Sequence, residues 1–210
     1  MKVLGLDLSS STGYAVIHDG ALVRFGTATA SDIDRNHPLP EYNQVRVARC
    51  IANRIFNVLK SETPDLIVIE QTNLGQNRND QKGLEFIHFA MLDVIEILGM
   101  DKKIAYIDSS AWRTGIDLKL TPEQRKHNKL NSSKKRAAKV KGNRFSAKKG
   151  EGKITWKHLS VNWVNQNFNL NFKLSQNDMA DAICLAVFGS RMVEESKKNS
   201  ITEFDLKVFS

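Results

Sequence analysis

A chain of 210 residues with 41% hydrophobic residues can bury a core of its own and is too apolar to be disordered throughout. Its net charge of +8 is uneven: residues 119–153 hold thirteen Lys and Arg against Glu123 and Glu151, so that stretch carries +11 and the remainder −3. No run approaches about 18 uninterrupted apolar residues and the N-terminus lacks a charge-free apolar core, so a soluble, cytoplasmic protein with no membrane association is expected. Cys50 and Cys184 sit inside apolar helical patterns and read as buried thiols, which suits a reducing compartment.

The chain opens with an apolar strand through Val3, Leu4 and Leu6 that delivers Asp7, then turns through Ser9, Ser10, Ser11 and Gly13 into a second strand. A carboxylate fit for burial on both faces needs a partner, since an unpaired buried charge costs several kcal/mol. Asp19-Gly20 is a hairpin signal leading to a third strand over residues 22–29, so the start reads as an antiparallel meander. Residues 41–60 carry apolar side chains at helical spacing, and Pro64 ends that helix. Residues 65–70 form a short buried strand ending in Glu70, a candidate parallel neighbour of the first strand, so Asp7 and Glu70 would close adjacent strands.

Residues 71–83 read as a polar loop. The helix over 84–98 is apolar on nearly every side, as expected of a core helix or a subunit interface; a two-fold homodimer through it is the simplest closed arrangement. A fifth strand over 104–107 and a capped helix from Asp108 follow. The basic stretch 119–153, poor in apolar residues, reads as an inserted flexible loop or arm, with Lys134, Lys135, Arg136, Lys139, Lys141, Arg144, Lys148 and Lys149 as candidate nucleic-acid-binding residues. Helices over 154–168 and 176–193 complete a domain of residues 1–194, and 195–210 form a tail. His88 reads as a packed or interface histidine, and Trp112, Trp156 and Trp163 as core aromatics.

Asp178 and Asp181 are three apart, so on a helix they share one face at about 5–6 Å between Cβ atoms. Acids in a first helical turn are unremarkable alone, because they complement the helix dipole. Together with Asp7 and Glu70 they make four carboxylates in poorly solvated places, an oxygen-lined set suited to Mg²⁺, with Mn²⁺ a ready substitute. Two such ions about 3.5–4 Å apart serve phosphodiester hydrolysis.

Three motifs, LGLDLSSSTGYAVI at 4–17, LIVIEQ at 66–71 and NDMADAICLA at 177–186, resemble RuvC-type Holliday junction resolvases of the ribonuclease H-like superfamily. The resemblance covers the chain to about residue 191. It implies an α/β fold with a mixed five-stranded sheet, three strands antiparallel and two parallel, flanked by helices. It also implies a homodimeric endonuclease acting on branched DNA, with two Mg²⁺ ions held by Asp7, Glu70, Asp178 and Asp181. Arg113 falls near a basic residue that such enzymes use close to the scissile phosphate, and Lys153 or Lys157 matches another. Where these enzymes commonly carry an aromatic wedge, this chain has Asn73 and Leu74. Two alternatives stand beside this reading: an ATP-using domain of the actin and sugar-kinase type, which also opens with strand, Asp, turn and strand, and a non-enzymatic basic nucleic-acid-binding protein.

Overall fold

The first strand, β1 (Lys2–Asp7), is flanked by β2 (Ser11–His18) on one side and β4 (Leu66–Glu70) on the other. The structure is a computed structural model and describes residues 1–71, 78–140 and 152–198. With β3 (Ala21–Thr29) and β5 (Ile104–Ile107) the sheet runs β3-β2-β1-β4-β5, antiparallel across the first three strands and parallel from β1 to β5. The hairpin between β2 and β3 turns at Asp19 and Gly20, whose φ values of 48° and 81° put both in the left-handed region that such turns require.

Helix α1 (Pro40–Glu62) begins with Pro in its first turn and ends at Thr63 in the left-handed conformation. Helix α2 (Arg78–Ile97) packs on α1, and both cover one face of the sheet. There Leu4, Leu6, Val16, Ile67 and Ile69 meet Ile51, Ile55, Leu59, Met91 and Ile95 in a closed core. The short α3 (Ser109–Gly115), α5 (Trp156–Phe168) and α6 (Asn177–Lys198) cover the other face, where Val3, Ala15, Ile17 and Val68 meet Trp112, Val164, Ala182 and Leu185. Side chains alternate along a strand. Asp7 follows Val3 and Gly5, and Glu70 follows Leu66 and Val68, so both acids project toward the α6 face.

The packing of α6 on the sheet is unusually close because glycine lines it. A Cβ on Gly5 would run into the backbone of Ala182 and Ala186, and one on Gly13 into the Asp178 carbonyl; on the helix side, a Cβ on Gly189 would come within 3.0 Å of Val3 Cγ1. Small residues on both surfaces let the helix backbone lie against the strand backbone, which sets the height of the first turn of α6 over the end of β1.

Several expectations are corrected: residues 78–83, read as loop, open α2; residues 195–198, read as tail, close α6; and Trp156, read as a core aromatic, is exposed. Residues 122–140, read as part of a loop or arm, form helix α4 (Pro122–Val140). Thr121 and Gln124 bond reciprocally, Thr121 N to Gln124 Oε1 at 2.9 Å and Gln124 N to Thr121 Oγ1 at 3.2 Å, a capping box ahead of a Pro in the first turn. Lys, Arg, Gln, Ala and Leu are good helix formers, so low hydrophobicity here marks an exposed helix rather than a loop. Buried Asn128 anchors it, donating from Nδ2 to Ile154 O and accepting from Ile154 N, both at 2.8 Å.

On α2, Ile87, Met91, Val94 and Ile95 are buried, while Phe89 and Ile97 are 74% and 73% exposed. His88 is packed, with Nδ1 3.1 Å from the Tyr106 hydroxyl. Burial holds its imidazole down at about 4 and pushes the Tyr106 phenol up to about 12. Cys184 is buried and Cys50 half-buried, both as free thiols. Among the described residues no helix is long and apolar enough to cross a membrane.

Candidate active site

Three elements bring four carboxylates to one end of the sheet. Asp7 closes β1 and Glu70 closes β4, while Asp178 and Asp181 stand one turn apart at the start of α6. Asp7 is paired with Gly13 across the β1–β2 ladder, and the Asp178 backbone fills the space above Gly13, so the first turn of α6 lies directly over the end of β1.

The electrostatics report the crowding. Burial pushes the Asp7 carboxyl well above the usual carboxylate range, and the charges of Asp181, Glu70 and Asp178 push it further. Asp181, 9% exposed, is pushed up to about 6, again by burial first, with Glu70 adding and the Ser160 hydroxyl, Arg113 and Lys157 opposing. Glu70 is also raised by burial, against the opposing effects of Arg113 and the Trp112 N–H. Like charges close together in a poorly solvated place favour protonation or a bound cation.

Two neighbours orient Glu70. Fully buried Trp112 donates Nε1 to Glu70 Oε2 at 3.0 Å, and Arg113 Nη2 lies 3.8 Å from Glu70 Oε1. The Asn177 amide donates to Asp178 Oδ1. Asp181 Oδ1 is buried with no hydrogen-bond partner among the described residues, and Arg113 Nε is in the same condition. Among the described residues no three His, Cys, Asp or Glu side chains are placed closely enough to hold a metal ion as they stand. The donor set nevertheless suits a hard divalent cation: it is all carboxylate oxygen, it is charge-crowded, and Asp181 Oδ1 faces no donor.

The structure separates the two candidate lysines. Lys157, in the first turn of α5, lowers both Asp7 and Asp181 by its charge. Lys153 is exposed. Lys134, Lys135 and Arg136 are exposed on α4. Lys141, Arg144, Lys148 and Lys149, Asn73 and Leu74, and the side chain of Lys139 lie outside the described residues. Trp112 is the core aromatic expected, but its bond to Glu70 is not legible in the sequence beyond the need of a buried indole N–H for an acceptor. Ser160 gave no such signal.

No family model and no curated protein matches the sequence. Solved structures do match in fold. RuvC of Thermus thermophilus bound to a Holliday junction substrate is 13% identical, with a TM-score of 0.60 over 91% of this chain and 96% of that one. A second structure of the same organism's RuvC is 15% identical, with a TM-score of 0.57 over 92% and 97%. The yeast mitochondrial Holliday junction resolvase is 13% identical, with a TM-score of 0.50 over 93% and 80%. The chain therefore has a ribonuclease H-like fold, a mixed five-stranded sheet between two helical layers. Within that class, its fold is that of the RuvC-type Holliday junction resolvases.

Proposed function

We propose that this chain is a structure-selective endonuclease of RuvC type that resolves Holliday junctions or other branched DNA by metal-dependent phosphodiester hydrolysis. The observation that carries the reading is the convergence of Asp7, Glu70, Asp178 and Asp181 at one sheet end of a RuvC-like fold. These four would hold two Mg²⁺ ions, for which Mn²⁺ substitutes. Bound there, the ions supply an activated water and stabilise the leaving oxygen.

The remaining residues have roles of their own. Trp112 fixes the rotamer of Glu70 through its N–H, leaving the other carboxylate oxygen toward Arg113. Arg113 and Lys157 supply positive charge beside the acids, where a scissile phosphate would otherwise meet only like charge. Lys157 suits that role better than Lys153. Exposed Lys134, Lys135 and Arg136 on α4 serve the phosphate backbone farther out, and their contribution carries no sequence information. A homodimer through α2, whose Phe89 and Ile97 face outward, would supply two sites for paired nicks on a two-fold symmetric junction.

The test is to incubate the protein with a four-way junction and with a linear duplex of the same sequence, with Mg²⁺ or with chelator, while following ATP turnover. Paired nicks in the junction alone, dependent on Mg²⁺ and without ATP turnover, are expected. ATP hydrolysis without nicking would favour the actin-like reading, and binding with neither reaction would favour a non-enzymatic DNA-binding protein.

A further inference from the structure

Trp156 is an exposed aromatic that the proposed reaction leaves without a role. It is the first residue of α5 and 43% exposed, whereas the buried face of that helix runs through Leu159, Ser160, Val161 and Val164. The helix start is secured by His158, whose Nδ1 accepts from Thr155 N at 3.2 Å and lies 2.8 Å from Thr155 Oγ1, so the cap does not need the indole. The ring is nevertheless held in place. The Arg113 guanidinium carbon lies 5.5 Å from the Trp156 ring centroid and 4.8 Å from that of Trp112, so one cation bridges a buried indole and an exposed one.

That bridge ties the exposed ring to the acid cluster. The same guanidinium lies 3.8 Å from Glu70, and Lys157, the next residue in the chain, acts on Asp7 and Asp181. A cavity of about 290 Å³ opens beside the ring, lined by Ser110, Arg113, Thr114, Asp117, Lys119 and Trp156 among others. Its one acid, Asp117, is paired with Lys119 at 2.6 Å. The cavity therefore offers an aromatic wall, hydroxyl groups and the Arg113 guanidinium.

We propose that Trp156 is a stacking platform for an unpaired base at the branch point of the DNA, next to the scissile phosphate. The inference rests on reading the acid cluster as a nuclease site. Stacking suits an exposed indole because every base has a π-face. An unpaired base is the fitting occupant, since a base inside a duplex is already stacked on both sides and would have to be extruded at a cost of a few kcal/mol.

The experiment compares Trp156→Phe, Trp156→Leu and Trp156→Ala with the wild type. It measures single-turnover nicking of a four-way junction in Mg²⁺, and equilibrium binding to the junction and to linear duplex in chelator. The Phe variant should stay within about twofold of wild type, while Leu and Ala should lose about fivefold or more in junction binding or nicking. Linear-duplex binding should not change. Equal performance of Leu and Phe overturns the platform, as does a loss that extends equally to linear duplex. If Ala fails to fold, Phe against Leu still decides the matter. If the wild type binds junctions without nicking them, the nuclease reading fails, and the Phe-against-Leu comparison of binding judges the platform separately.

Discussion

The Asp178 carbonyl occupies the space that a side chain on Gly13 would need. Gly13 is in turn the ladder partner of Asp7, so one glycine sets how closely the first turn of α6 approaches the end of β1. Any side chain there must lift the helix start and carry Asp178 and Asp181 away from Asp7.

Gly13→Ala should therefore cost roughly 1–3 kcal/mol of stability through overpacking and reduce nicking more than a stability loss alone explains. Gly20→Ala is the control. Gly20 has φ of 81° with nothing within 4 Å of an added Cβ, so that change should cost about 1–2 kcal/mol of backbone strain and leave nicking intact. Urea denaturation and Mg²⁺-dependent nicking, measured on both variants, check the pair.

The carboxylate crowding predicts a pH-dependent stability. Asp181 is raised to about 6 in the folded protein against an ordinary value of 3.8, so between those values the folded state binds more protons than the unfolded one. Stability from this group is then lost as pH rises through about 4 to 6. In chelator, Asp181→Asn should be more stable than wild type by on the order of 2–3 kcal/mol at pH 8, with the difference vanishing near pH 4. Mg²⁺ should stabilise the wild type selectively at pH 8, because an ion that binds only the folded state adds to its stability. Denaturation curves at both pH values provide the measurement.

Helix α4 presents Lys134, Lys135 and Arg136 to solvent. Replacing all three with Gln should weaken DNA binding and flatten its salt dependence by about 0.9 in log–log slope for each phosphate no longer neutralised. Binding titrations from low to moderate salt measure that slope, and an unchanged slope would remove α4 from the DNA interface.

These features were unequally legible in the sequence. The apolar runs of β1 and β4 end abruptly in Asp7 and Glu70, and strand parity then puts both acids on one face, so that half of the site could be read directly. The start of α6 could be read from the spacing of Asp178 and Asp181. Helix α4 was hidden because its apolar content is low and its burial falls on one asparagine, Asn128, rather than on a hydrophobic stripe. The bond from Trp112 to Glu70 and the field of Lys157 at Asp7 were hidden for a different reason. Each joins elements distant in sequence, and nothing in the spacing says which surfaces meet.

Phe89 and Ile97 lie eight residues apart on one outward stripe of α2, both largely exposed. Between α1 and α2 this surface forms a groove of about 390 Å³ that includes Phe86, Ala90 and Val94. The wild type should sediment as a dimer at micromolar concentration, and Phe89→Asp or Ile97→Asp should give monomers of unchanged circular dichroism that nick without pairing. A monomeric wild type would reject the two-site arrangement.

The most direct test of the central claim compares the wild type with Asp7→Asn on a four-way junction, following nicking across a Mg²⁺ titration and binding in chelator. The account predicts Mg²⁺-dependent cutting by the wild type. It predicts no detectable cutting by Asp7→Asn, with binding unchanged or tighter because a negative charge beside the phosphates is gone. Near-wild-type, Mg²⁺-dependent cutting by Asp7→Asn would contradict it.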